Sequence, residues 1–328
     1  MSTFKDFESE LYSVTNQSFN ETALSLFHFQ AESNTIYKSF IQNLGLDPGQ
    51  VQTVGDIPFL PISFFKNHAI KSGEWDAQTV FASSGTTGMT TSSHAIKDLE
   101  FYLSHAEKNF VRFFGPLSDY HFLALLPSYL ERKNSSLVAM IDHFIKRSES
   151  PYSGFYLHNT MKLVEDIERL RSDPRKTILW GVTFALLDLA ETHKPDLGHC
   201  LVFETGGMKG RRKELTRDEL HHVLRTELGV ANVYSEYGMT EMLSQAYSNG
   251  GLFQCPPWLK VLGREVTDPF QKGLLGEICG INVVDLANRH SIAFIETEDL
   301  GKVYPDGSFE VLGRFDNSDL RGCNLLGE

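Results

Sequence analysis

Between Asp98 and Tyr234 the chain repeats one pattern, in which apolar residues spaced three and four apart give way to short runs that are apolar throughout. Leu99, Leu103, Ala106, Phe110 and Phe114 share a helical face, and Asp98 stands where an N-cap is wanted. The run 121–126 that follows is apolar throughout after His121 and is stopped by Pro127, which predicts a buried strand. The alternation continues with predicted helices at 137–145 (opening near Asn134), 161–170, 184–190 and 214–228, and predicted strands at 154–157, 177–180, 201–203 and 232–234. Short apolar strands alternating with helices predict an α/β fold, a parallel sheet covered by helices.

The flanks have a different texture. Residues 1–45 predict helices, one capped by Asn20 with Leu24, Phe27 and Ala31 on a face, another capped by Asn34 with Ile36, Phe40, Ile41 and Leu44, and a turn at Leu46-Asp47-Pro48-Gly49. The dense aromatics here (Phe19, Phe27, Phe29, Tyr37, Phe40) are expected to pack in the core. Pro58 and Pro61 bar the apolar segment 57–66 from being a helix interior or a central strand, so an extended run leading into the strand at 79–81 is expected. Beyond residue 250, Gly, Pro and short strand-like runs (277–280, 292–295, 308–312) replace helices, with a turn at Tyr304-Pro305-Asp306-Gly307. Three parts are therefore expected: a helical segment 1–55, an α/β core 56–250, and a β-rich part 251–328 that closes the site.

Composition narrows the class. With 41% hydrophobic and 22% charged residues, the 328-residue chain is an ordinary globular one. No apolar run approaches the roughly 18 residues of a membrane span. The start, Met1-Ser2-Thr3-Phe4-Lys5-Asp6, lacks the pattern of a signal peptide. Four cysteines with no Cys-x-x-Cys pair suggest neither a disulfide framework nor a zinc site, and a reducing cytoplasm is expected. A net charge of −12 argues against nucleic-acid binding and for local basic groups where a nucleotide sits.

Five segments carry candidate chemistry. Ser83-Ser84-Gly85-Thr86-Thr87-Gly88 follows a β-like run and offers hydroxyls and backbone N–H groups to an anion, as a phosphate grip does. It is not the Walker loop, because Met89 rather than Lys follows Gly88. Gly206 and Gly207 make a turn at the end of a predicted strand, where open α/β sheets bind ligands; a plain strand-to-helix turn reads equally well. In Tyr237-Gly238-Met239-Thr240-Glu241 a ring suits adenine, a hydroxyl suits a phosphate oxygen, and a carboxylate suits Mg²⁺. Glu296-Thr297-Glu298-Asp299-Leu300-Gly301 and Gly313-Arg314-Phe315-Asp316 resemble the third and fourth signatures of the adenylate-forming enzymes, a resemblance that implies Asp299 on the ribose hydroxyls and Arg314 on the nucleotide; an acid on ribose and a fork of donors on phosphate or ribose are chemically apt.

Taken in order, the segments other than the Gly206–Gly207 turn resemble the signatures of the adenylate-forming enzymes, the acyl-CoA synthetase and luciferase superfamily, over residues 55–323. The resemblance implies that superfamily's N-terminal core, ATP and Mg²⁺ as cofactors, and a carboxylic acid as substrate. Two departures narrow it. The usual Pro-Lys-Gly tail of the phosphate loop is replaced by Met89-Thr90-Thr91-Ser92-Ser93-His94, and the sequence runs only fifteen residues from Arg314 to Glu328, so the mobile C-terminal subdomain and its Lys are expected to be lacking. What remains resembles the acyl-protein synthetases, the long-chain-fatty-acid–protein ligases of the bacterial luciferase fatty-acid reductase complex. These adenylate a fatty acid and take the acyl group onto a cysteine near their own C-terminus, a position that Cys323 occupies here. The resemblance implies a thioester at Cys323, with Arg321 two residues away to favour the thiolate, and a partner acyl reductase or acyl carrier. Two alternatives stand beside it: an acyl- or aryl-CoA ligase using an external subdomain, and a non-catalytic scaffold that binds nucleotide or acyl groups for a partner enzyme.

Overall fold

The computed structural model describes residues 4–83, 91–126, 134–157, 159–206 and 215–314. Three helices open the chain: α1 (Phe4–Tyr12), α2 (Phe19–Ser33) and α3 (Thr35–Asn43). Asn34 caps α3 as expected, its side chain accepting from the Tyr37 N–H. Asn20 does not cap α2: Ser18 holds that position, because Phe19 is already helical and buried against the core. The proline-punctuated segment forms only a two-residue strand, β1 (Leu60–Pro61), followed by a single helical turn, α4 (Phe64–Asn67). It does not run into the next strand. β1 instead pairs in parallel with Ile295 and Glu296 far along the chain, the one-sided pairing that a proline permits.

β2 (Thr79–Ala82) and β3 (Ser93–Ile96) form a separate two-stranded antiparallel ribbon. α5 (Leu99–Phe114) follows, capped by Asp98. Its buried face is turned from the all-apolar stripe expected: His105 and Asn109 are fully enclosed, because Ser244 and Tyr12 hydrogen-bond the first and Gln245 and Trp258 the second.

The α/β alternation then appears as expected: β4 (Tyr120–Leu125), α6 (Ser136–Ser148), β5 (Gly154–Phe155), α7 (Thr160–Arg169), β6 (Lys176–Val182), α8 (Thr183–Thr192), β7 (Cys200–Thr205), α9 (Arg217–Leu228) and β8 (Val233–Tyr237). β5, β4, β6, β7 and β8 lie side by side and all parallel. Their apolar runs make one of two hydrophobic cores, with Trp180 stacked on Phe203.

The remaining strands, β9 (Ala246–Asn249), β10 (Phe253–Gln254), β11 (Leu259–Arg264), β12 (Cys279–Asp285), β13 (Phe294–Val303) and β14 (Phe309–Arg314), continue the same sheet in antiparallel fashion, in the order β8-β9-β10-β14-β13-β12-β11. Among the described residues the fold is thus α/β with a twelve-stranded sheet, parallel in one half and, apart from the short β1–β13 pairing, antiparallel in the other. α1 to α3 pack on the antiparallel half and share its core. Tyr304 to Gly307 form the expected turn between β13 and β14, the Gly307 N–H donating to Tyr304 O at 2.9 Å. The acidic segment 296–301, to which no element is assigned from sequence, is strand. It lies within the ten-residue strand β13, whose residues are alternately buried and half-buried. Among the described residues no helix is long and apolar enough to cross a membrane.

Candidate active site

The parallel strands end at one edge of the sheet. Glu204 of β7 is in register with Ser235 of β8, which sets Gly206 alongside Tyr237 at that edge. Gly206 has φ +73°, a left-handed turn that suits glycine, and its carbonyl accepts from the Thr183 hydroxyl.

Tyr237 is buried, and its hydroxyl donates to Asp299 Oδ2 at 2.8 Å. Burial, with the Asp299 carboxylate beside it, keeps that hydroxyl protonated. Asp299 pairs across the ladder with Arg314, whose Nε donates to Asp299 Oδ1 at 3.3 Å. The Asp299 backbone N–H donates to Thr297 Oγ1, and the Thr297 hydroxyl donates to Ile281 O, which fixes the strand at this point. Burial raises the Asp299 carboxyl above its ordinary range, opposed by Arg314 and the Tyr237 hydroxyl. Three expected site residues from three strands therefore share one carboxylate. The Arg314 side chain is 71% exposed, so the open end of this cluster carries a cation.

Beyond Tyr237 the chain passes Gly238, Thr240 and Glu241. A Cβ at Gly238 would stand 2.2 Å from Glu236 Oε1, so a side chain there would push the Glu236 carboxylate aside. Glu241 is 4% exposed, and burial raises its carboxyl, opposed first by a hydrogen bond from Ser92. Its carbonyl accepts from Asn288 Nδ2, and the Thr240 carbonyl lies 2.8 Å from His94 Nδ1. Asp285 accepts from the backbone amides of Leu243 and Ser244, at 2.8 and 2.9 Å. Ser83 and Ser92 close the mouth of the β2–β3 ribbon by mutual bonds of 2.9 Å.

Ser84, Gly85, Thr86, Thr87, Gly88, Gly207 and Cys323 lie outside the described residues. Of the others, the structure gathers Tyr237, Asp299 and Arg314 directly, brings Thr240 and Glu241 against the ribbon that carries Ser83, and sets Gly206 at the neighbouring strand end. Sequence reasoning missed Glu236, Ser92, His94, Asp285 and Asn288. Only Glu236 had a local signal, a carboxylate set between two tyrosines at a strand end. The others make their contacts across more than forty positions or from a segment without a motif.

Glu236 carries a pH prediction. Its Oε2 accepts from Thr205 Oγ1 at 2.8 Å, and burial pushes its carboxyl up to about 7, with the Glu204 charge adding to the effect. Raised above its unfolded value of about 4.3, this group favours the fold fully below that value and loses its contribution as pH rises through about 7. Glu236→Gln, neutral at all pH, should match wild type in urea unfolding at pH 4. At pH 8 it should exceed wild type by roughly 3–4 kcal/mol. An equal gap at both pH values would show that the carboxylate is not buried as an acid.

Comparison with known proteins gives fold likeness. No protein-family model and no curated protein sequence matches the chain. An open conformation of a 2-hydroxyisobutyryl-CoA ligase in complex with 2-HIB-AMP and CoA superposes with a TM-score of 0.68 at 12% identity, over 93% of this chain and 72% of that one. Apo MatB from Rhodopseudomonas palustris gives 0.51 at 18% identity, over 73% and 48%, and an ATP-bound RpMatB–BxBclM chimera gives 0.54 at 18%, over 74% and 49%. The chain spans about half the length of the MatB structures, and it shares the fold of the part it covers.

Proposed function

We propose that this chain activates a carboxylic acid with ATP as an acyl-adenylate and passes the acyl group to a thiol. The observation that carries this reading is the Asp299 carboxylate, which accepts from Tyr237 and Arg314 at the edge of a fold shared with ligases of that class. A substrate carboxylate oxygen attacks the α-phosphorus of ATP as the bond to pyrophosphate breaks. The thiolate then attacks the acyl carbon, and the bond to AMP breaks. Both steps depend on positioning and electrostatics more than on a dedicated acid or base.

In this reading Asp299 accepts from the ribose hydroxyls and Tyr237 lies against adenine. Arg314 meets the negative charge of the nucleotide, and Thr240 donates to a phosphate oxygen. The loop of Ser83, Ser84, Gly85, Thr86, Thr87 and Gly88, with the turn at Gly206 and Gly207, completes the grip. Among the described residues no three acidic, His or Cys groups form a metal cage. One buried carboxylate, Glu241, beside the Thr240 hydroxyl fits Mg²⁺, which retains waters and takes its other ligands from phosphates. When bound, Mg²⁺ would neutralise phosphate charge. Within this reading the acid is a long-chain fatty acid and the first acceptor is Cys323, which feeds an acyl reductase or an acyl carrier. The likeness to a CoA ligase favours a second reading, in which the thiol is free CoA.

Acid-dependent exchange of labelled pyrophosphate into ATP tests the first step. Its absence with every carboxylic acid offered would leave a nucleotide-binding scaffold. Glu241→Gln should raise the Mg²⁺ concentration for half-maximal exchange about tenfold, a loss of about 1.4 kcal/mol, with the fold retained. A metal titration superimposable on wild type would remove Glu241 from that role.

A further inference from the structure

The β2–β3 ribbon bears the Ser83 end of the expected phosphate loop, yet it shares no ladder with the large sheet. A backbone bond runs from its Ala82 N–H to Asn134 O at 2.8 Å, and it meets Thr240 and Glu241 through side chains. Ser92 and His94 are two residues apart, so they project from the same face of the strand. Ser92 hydrogen-bonds the Glu241 carboxylate, and His94 Nδ1 lies 2.8 Å from the Thr240 carbonyl. Both are buried, at 4% and 1% exposure. A carbonyl only accepts, so Nδ1 carries the proton. Burial holds the ring down to about 4, so it is neutral at ordinary pH and the donor is constant. Asn288 braces the arrangement by bonding His94 and donating to Glu241 O at 2.8 Å. Phe65 of α4 packs on the ring with centroids 5.5 Å apart.

We propose that His94 is a positioning residue of the nucleotide site, which fixes the spacing between the ribbon bearing the Ser83 loop and the Thr240–Glu241 pair. This rests on the adenylation reading above for its consequence, and on the hydrogen bond itself for its mechanics. The two halves of the expected triphosphate grip come from segments 146 positions apart, and the His94–Thr240 bond spans that separation. Loss of the donor would leave each half intact and misplace one against the other.

The test uses three variants of the full chain. His94→Asn keeps a donor where Nδ1 stands, His94→Gln moves the donor one bond outward, and His94→Leu fills the space without one. Amide hydrogen exchange at residues 79–82 and 93–96 without nucleotide reads the docking of the ribbon. The ATP and acid constants in pyrophosphate exchange read its consequence. In His94→Leu and His94→Gln, ribbon amides should exchange about tenfold faster and the ATP constant should rise about tenfold, the acid constant staying within about twofold. His94→Asn should resemble wild type in both. If His94→Leu does not fold, the contrast of Asn with Gln still decides. The inference is overturned if His94→Asn is as impaired as His94→Gln, or if all variants behave as wild type. A wild-type protein without acid-dependent exchange would sink the adenylation reading alone, and the amide measurement would still decide whether His94 docks the ribbon.

Discussion

Asp299→Ala is expected to raise the apparent ATP constant about 100-fold and to leave the constant for the acid within about twofold. Two hydrogen bonds from ribose hydroxyls to a carboxylate are worth about 1.5 kcal/mol each at the low end of the charged range, together about 3 kcal/mol. The nucleotide alone loses partners, so the effect should be selective. The carboxylate also accepts from Tyr237 at 2.8 Å and Arg314 at 3.3 Å, so truncation leaves a buried hydroxyl unpaired and frees the arginine. A general loss of structure would move both substrate constants and the unfolding midpoint together. Asp299→Asn guards against that confusion, because the amide keeps the shape and one acceptor while offering only part of what two ribose hydroxyls need. Its ATP constant should fall between wild type and Asp299→Ala. A selective rise in the acid constant in either variant would move Asp299 from the nucleotide to the acyl end of the site.

The α/β half was legible because its signals are local. The caps at Asn34 and Asp98 sit where side-chain acceptors meet free N–H groups, and fully apolar runs at β4, β6 and β7 have few alternatives to burial in a parallel sheet. β13 was half read. Its apolar start, 292–295, reads as a strand, but Glu296, Glu298 and Lys302 give the rest no apolar run to mark it as one. Thr297, Asp299, Gly301 and Val303 alternate with them and face inward, and it is the buried hydrogen bonds of Thr297 and Asp299 that make polar residues acceptable there. Extended backbone through Asp299 is what brings it opposite Arg314.

The β-rich stretch was recognised from its texture, yet nothing in it announced that its strands extend the parallel sheet through β9 and β10. That continuity depends on pairings such as Glu236 with Tyr247 and Phe253 with Phe309, which no periodicity encodes. The proline segment failed for the same reason. Its two prolines correctly excluded a central strand, but its partner in β13 lies more than 230 positions away. The site divides along this line. Tyr237, Asp299 and Arg314 stood in motifs of the right chemical type. His94, Asp285 and Asn288 act through single long-range hydrogen bonds, and a lone His or Asn in a sequence has no pattern to mark it.

Cys323→Ser should abolish acyl label on the protein while leaving pyrophosphate exchange within about twofold of wild type, because a serine hydroxyl supplies no thiolate at neutral pH. Cys323 lies outside the described residues, so the argument comes from the other three thiols. Burial pushes Cys200 up to about 12 and Cys255 up to about 12, and raises Cys279, which also donates to Gly301 O at 3.5 Å. A thiol held that high is almost wholly protonated at neutral pH and is a poor nucleophile. Cys323 has Arg321 two residues away in sequence, and a nearby cation favours the thiolate. The adenylation groups assigned above, Tyr237, Glu241, Asp299 and Arg314, contain no thiol, so the first half-reaction should not need one. The measurement is acid-stable, hydroxylamine-labile label from a radioactive fatty acid, with and without ATP, read beside exchange in the same preparation. Label lost with exchange retained places the acceptor at Cys323. Label undiminished in Cys323→Ser would place the acceptor elsewhere, and exchange with no label in wild type, but turnover on adding CoA, would make the free-thiol ligase the better reading.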